Sequence, residues 1–187
     1  MDRRNALMAF VLMFAASGVA VGADNRTKEQ AEVRKAGQNA LNALYKAQPS
    51  ARKAVESAAG YAAFSNFGMK ILIAGGGTGK GVAVNNKTKQ MTYMKMAEIQ
   101  AGLGLGVKKF QLVWVFENEQ ALNSFINSGW EFGGQATAAA KSADKGVSYQ
   151  GAVAVSPGVW LYQLTDKGLA LELTVKGTKY YKDSDLN

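Results

Sequence analysis

The stretch Ala74-Gly75-Gly76-Gly77-Thr78-Gly79-Lys80-Gly81 carries the residue types best suited to chemistry in this chain. A phosphate-binding P-loop needs Gly or Ala, four residues, then Gly-Lys and a Ser or Thr whose hydroxyl holds magnesium. Ala74, Gly79 and Lys80 fit that spacing, and Gly81 fails at the hydroxyl position. A P-loop also hands its phosphate to the N-terminus of a following helix. Here Val82-Ala83-Val84-Asn85-Asn86 follows, which reads as a short strand and a turn. No downstream strand ends in the Asp that a magnesium site requires, so nucleotide binding is not expected. The residues predict a glycine-rich β-turn with Lys80 at its tip. Backbone N–H groups around Gly77 and Gly79 could form an anion-binding nest there, with Lys80 as counter-charge.

Composition removes most other chemistry. The chain has no Cys and no His. Ser-His-Asp and Cys-His nucleophile systems are excluded, as are zinc sites of the usual type. No EF-hand-like spacing of acids occurs, and no metal or cofactor is expected. Glu98, Glu131 and Glu172 lie within or beside expected strands. Nothing in the sequence pairs two of them as a carboxylate hydrolase requires, so a non-catalytic protein is the expectation.

Charge points toward a partner. The formal net charge is +8. Residues 61–116 carry seven lysines against Glu98 alone, whereas residues 117–187 carry six lysines and eight acids. A basic middle segment suits an anionic partner. A solvated basic surface that serves solubility is the plain alternative.

The first residues read as an export signal. Arg3 and Arg4 precede an apolar run from Ala6 to Ala16, and Val21-Gly22-Ala23 suits a signal peptidase before Asp24. Residues 1–23 are then a cleaved signal peptide and residues 24–187 one domain. The uncharged run Ala6 to Ala23 is near the lower limit for a membrane span, but its small-residue end favours cleavage. A lipid-modified N-terminus needs a cysteine. The expected location is periplasmic or secreted, where phospholipid headgroups are better partners than nucleic acid.

The elements that must position these residues follow from periodicity. Thr27 to Gln30 fits a capping box, and Val33, Ala36, Ala40, Leu41, Leu44 and Ala47 recur at helical spacing. Lys28, Arg34, Lys35, Lys46, Arg52 and Lys53 occupy the polar side of the helical region. Such a helix either faces a membrane or docks on a sheet, and its alanine-rich stripe favours docking. A second helix is expected from Pro49 to Ala59, stopped by Gly60. Strands are expected at 61–67, 69–74, 81–84, 90–96, 101–107, 110–116, 130–138, 147–155, 159–164, 169–176 and 179–181. Asn85-Asn86, Ser156-Pro157-Gly158 and Asp166-Lys167-Gly168 read as turns. Asn118 caps one short helix that Gly129 ends. Phe110 to Phe116 should be a central strand buried on both faces. The fold class is α+β: N-terminal helices packed on a strongly curved, largely antiparallel, barrel-like sheet with one inserted short helix.

Gly75 to Val82 resembles the glycine-rich segment of SYLF domains, which also occur in yeast actin-patch regulators. Ala101 to Val107 resembles the family's second glycine-alternating strand, followed by an apolar strand, Leu112 to Phe116, and a helix ending in Phe125. Trp130-Glu131-Phe132-Gly133 and Asp144-Lys145-Gly146 sit where the family has its glycine/alanine-rich strand and turn. The resemblance implies binding of phosphoinositides or other anionic phospholipids, and actin binding in some members. It also implies exported single-domain proteins in bacteria.

Charge and resemblance together predict an exported binder of anionic phospholipid. Lys80, Lys108 and Lys109 are the leading headgroup contacts, with Lys70, Lys87, Lys89 and Lys95 secondary and Gly77 and Gly79 shaping the turn. The alternative is a structural or protein-interaction module of the cell envelope, for which Trp130 and Trp160 would supply contact area.

Overall fold

The computed structural model describes residues 17–65, 76–99, 110–132, 149–170 and 178–187. Three helices are α1 (Ser17–Ala47), α2 (Ala51–Ser57) and α3 (Glu119–Ser128). Nine strands are β1 (Gly60–Ser65), β2 (Gly76–Asn85), β3 (Met91–Ile99), β4 (Phe110–Phe116), β5 (Trp130–Phe132), β6 (Val153–Ser156), β7 (Val159–Thr165), β8 (Gly168–Ala170) and β9 (Thr178–Lys182). They pair antiparallel in the order β5-β9-β3-β2-β1-β4-β7-β6, with β8 on β7.

The sheet is a curled half-barrel. Strands β9 and β4 stand four places apart in the order, a span of about 19 Å in a flat sheet. Yet the rings of Tyr180 on β9 and Trp114 on β4 are 5.1 Å apart. Tyr180 also meets Phe64 on β1 at 5.0 Å. The inner face thus closes on an aromatic cluster that Phe116 and Phe125 complete. Helix α3 seals that face with Leu122 and Phe125. Asn118 caps it by accepting a hydrogen bond from the Ala121 N–H at 2.9 Å, and Gly129 ends it with φ +69.

Strand β4 shows why a wholly apolar run was needed. Phe110, Leu112, Trp114 and Phe116 belong to the inner core, while Val113 and Val115 belong to a second core under the helices. On that outer face α1 buries Val33, Gly37, Ala40, Leu41 and Leu44, a helical stripe of mostly small residues. A Cβ at Gly37 would stand 3.0 Å from a Val82 methyl, so glycine lets the helix lie close to the sheet. The helical region therefore docks on the sheet, as its alanine content suggests.

Several local expectations are corrected. Helix α1 does not start at Thr27; it runs through from Ser17, and the Thr27 hydroxyl donates back to the Ala23 carbonyl at 2.9 Å. Gly60 does not stop α2; it opens β1, where a Cβ would meet the Val84 carbonyl at 2.4 Å. The turn expected at Asn85-Asn86 is longer. Asn85 accepts hydrogen bonds from the Lys87 and Thr88 N–H groups, and Lys89 takes φ 60. The strand expected over 147–155 begins at Val153, after a turn closed by Ala152 N–H on the Tyr149 carbonyl at 3.0 Å. The strands expected at 69–74 and 101–107 lie outside the described residues, as do most of 130–138 and 169–176.

Candidate functional site

The glycine-rich stretch is not a turn. Residues 76–85 form one strand, β2, and Lys80 sits inside it, opposite Lys95 of β3. Gly79 and Gly81 face the inner core. A Cβ at Gly79 would stand 2.1 Å from the end of Met96, and one at Gly81 would stand 2.4 Å from the Phe64 ring. These glycines make room for large neighbours from β1 and β3. Gly77 pairs with Glu98 in the same ladder.

Lys80 points to the other face and meets a cluster of acids. Two lysines opposite each other on adjacent strands repel. Asp183, wholly buried, lies between them: its Oδ1 is 2.9 Å from Lys95 Nζ and its Oδ2 is 3.7 Å from Lys80 Nζ. Asp185 adds a contact to Lys95 at 2.6 Å, and Glu29 of α1 pairs with Lys80. Hydrogen bonds that Lys95 donates to Asp185 and then Asp183 hold its pKa above the usual range, against the opposing effect of burial. The Lys95 hydrogen bond holds the Asp185 carboxyl below its usual range. Both lysines are thus partnered by acids within the fold.

Lys87 and Lys89 stand fully exposed on the β2–β3 hairpin. The Asn86 side chain fastens this loop by donating to the Val55 and Ala58 carbonyls at 2.7 and 3.0 Å. Lys87 comes within 3.9 Å of Glu119, a loose surface pair. Lys70, Lys108 and Lys109 lie outside the described residues.

Beside the hairpin, a cleft of about 290 Å³ opens between α1 and the sheet. Its floor is apolar: Leu41, Tyr61, Val82, Val84 and Met91. Burial raises the Tyr61 phenol above its usual pKa, so this wall stays neutral. Arg34, Lys35 and Gln38 line the α1 side, and none of the lining residues is acidic. Arg34 donates to the Tyr93 hydroxyl at 2.5 Å, which anchors the guanidinium beside the sheet. Val84 and Met91 are the last register pair before the hairpin, so the loop bearing Lys87 and Lys89 adjoins the cleft. Met91 is 49% exposed at the mouth of the cleft.

Sequence reasoning found Arg34 and Lys35 only as part of a polar helix face, and it gave Met91 and Asp183 no role. Their meaning depends on contacts between distant segments. Trp160 is buried, and its indole N–H donates to Glu117 at 3.0 Å, so it is not free contact area. The Trp130 side chain lies outside the described residues. Among the described residues no group of three or more potential ligands could hold a metal ion, and no helix is long and apolar enough to cross a membrane.

Residues 97–187 match a family described as Ysc84, Las17-binding protein actin regulator. The chain is also 36% identical over 149 residues to a protein named Beta cell expansion factor A from Aeromonas veronii. That match covers 79% of this chain and 54% of the relative, so the chain spans about half the length of the curated relative it matches. Strand β4 and helix α3 fall within the matched residues 97–187, and the glycine-rich β2 precedes them. The chain belongs to the Ysc84, or SYLF, family.

Proposed function

We propose that the protein is a non-catalytic module that binds anionic phospholipid at a membrane surface. One observation carries this reading: two exposed cations, Arg34 and Lys35, line an apolar cleft with a half-exposed methionine at its mouth, and the exposed Lys87 and Lys89 stand on the adjoining hairpin. A cation near an anionic bilayer contributes about 1 kcal/mol, so four together suffice for reversible adsorption. Lys80 and Lys95 leave the list of headgroup contacts, because acids within the fold already hold them. Lys70, Lys108 and Lys109 stay on it. The reading includes export, with residues 1–23 removed before Asp24; the intact mass of protein recovered from its native host checks that boundary.

Co-sedimentation with vesicles tests the binding. Phosphatidylglycerol vesicles should pull down the protein at low salt, phosphatidylcholine vesicles should not, and salt should reverse the binding. Charge reversal at Arg34, Lys35, Lys87 and Lys89 together should abolish it. Equal binding to both vesicle types sinks the reading.

The family's description as a Las17 binder supports a second reading, a protein-interaction module. Partner capture that ignores the same four charge reversals and needs no lipid would favour it.

A further inference from the structure

The cleft between α1 and the β2–β3 hairpin differs from a headgroup site in one respect. A headgroup needs cations and hydrogen-bond donors, and the floor here offers mostly hydrocarbon: Leu41, Val82, Val84 and Met91. The cations stand only on the rim. A site that separates charge from hydrocarbon in this way matches an amphiphile that does the same.

We propose that this cleft takes one acyl chain of an anionic lipid, with its phosphate held by Arg34 and Lys35. This inference rests on the lipid-binding reading above and adds that the protein engages the lipid's tail as well as its charge. Size selects the occupant. The cleft holds about 290 Å³. That equals roughly ten liquid waters at ~30 Å³ each, room for one alkyl segment and not for paired tails. Charge selects the head: two cations and no carboxylate line the opening. Tyr93 fixes the guanidinium by its hydroxyl, which leaves the planar fork of Arg34 pre-set for a phosphate oxygen pair. Met91 is the adaptable element. An unbranched thioether side chain at the mouth can swing aside or lie along a chain. The anchored hairpin keeps Met91 in place, because Asn86 ties the loop to the end of α2.

Calorimetry with the full chain and dodecyl phosphate, below its micelle concentration, is the direct test. Saturable binding of one ligand per protein is expected. Inorganic phosphate should bind at least about tenfold more weakly, because it buries no methylenes. Dodecyl maltoside, with the same chain and an uncharged head, should also bind more weakly. Met91→Glu alters an exposed position that the fold does not depend on. It should weaken dodecyl phosphate by about tenfold through an unpaired carboxylate beside hydrocarbon. A second measurement needs no variant: a spin-labelled lauric acid should broaden the methyl NMR signals of Val82 and Val84. Equal binding of inorganic phosphate, or an unaltered Met91→Glu, overturns the acyl-chain site. So does silence at Val82 and Val84. Vesicle binding without dodecyl phosphate binding overturns this inference and spares the lipid-binding reading. Loss of both overturns both.

Discussion

The two faces of the sheet solve opposite problems. The inner face is filled by rings. Phe64, Trp114, Phe116, Phe125 and Tyr180 interlock, and β2 presents bare glycine backbone so that they fit. The outer face is covered by a helix whose stripe is mostly small, and a cleft stays open beside residues 34–41 of that helix. Among the described residues, the acid–lysine cluster and the cations of the cleft lie on this outer side. The contrast teaches where to look for ligands. The half-barrel interior invites the thought of a binding cavity, but aromatic packing occupies it. The accessible site lies where a helix and a sheet fail to meet.

This contrast can be broken by substitution. Phe64→Ala on the inner face should cost about 3–5 kcal/mol in urea denaturation, because its ring neighbours Phe125 and Tyr180 cannot collapse into the space. Leu41→Ala on the cleft side should cost nearer 2 kcal/mol, since it only enlarges an existing opening. Equal losses would mean that the two faces are equally packed. Gly81→Ala should follow at about 2–3 kcal/mol by the same measurement, since the Ala63 carbonyl stands 2.5 Å from the new Cβ. Gly168→Ala meets nothing within 4 Å and should cost only about 1 kcal/mol, the strain of its positive φ.

The charge cluster on the outer side gives a further test. Asp183→Asn removes the carboxylate that Lys80 and Lys95 share. It should cost about 2 kcal/mol, below the range for fully buried pairs because the lysines keep 34% and 25% of their exposure. A thermal melt of this variant against the parent reads it. The smallest effect concerns pH. Asp185 has a lowered carboxyl pKa, so its stabilising share is present above its ordinary value of 3.8 and is lost as pH falls through the folded value. Lys95 has a raised pKa, so its share is complete below 10.5 and fades as pH climbs through the still higher folded value. Asp185→Asn should therefore shrink the acid limb of a stability–pH curve and leave the plateau between the two limbs level. A variant curve that parallels the parent through the acid limb would show that Asp185 titrates alike in both states.

Some of this was legible in the sequence. β4 was read at its observed limits because seven consecutive residues without a charge suit only a strand buried on both sides. The α3 boundaries were read from Asn118 and Gly129, where side-chain capping and a positive φ act locally. β2 was misread because glycine was taken as a breaker. The alternation Gly77, Gly79, Gly81 is a period of two, and it marks one vacated face of a strand. Lys80 therefore moved from a turn tip to the middle of a ladder. Its partners Glu29 and Asp183 come from segments far apart in sequence, and no local pattern announces them. The cleft was hidden for the same reason: its lining comes from α1, β1, β2 and β3.

The placement of Asp183 also orders events in time. The β2–β3 hairpin that brings Lys80 beside Lys95 is local and quick to form, while the carboxylate that reconciles them follows β9. Until β9 finds β3, the hairpin carries its two lysines without that shared acid. The cluster is thus expected to form late, outside an early nucleus. Removing it should leave the refolding rate almost unchanged and speed unfolding. By this logic the cluster governs how long the folded protein lasts, more than how fast it is reached.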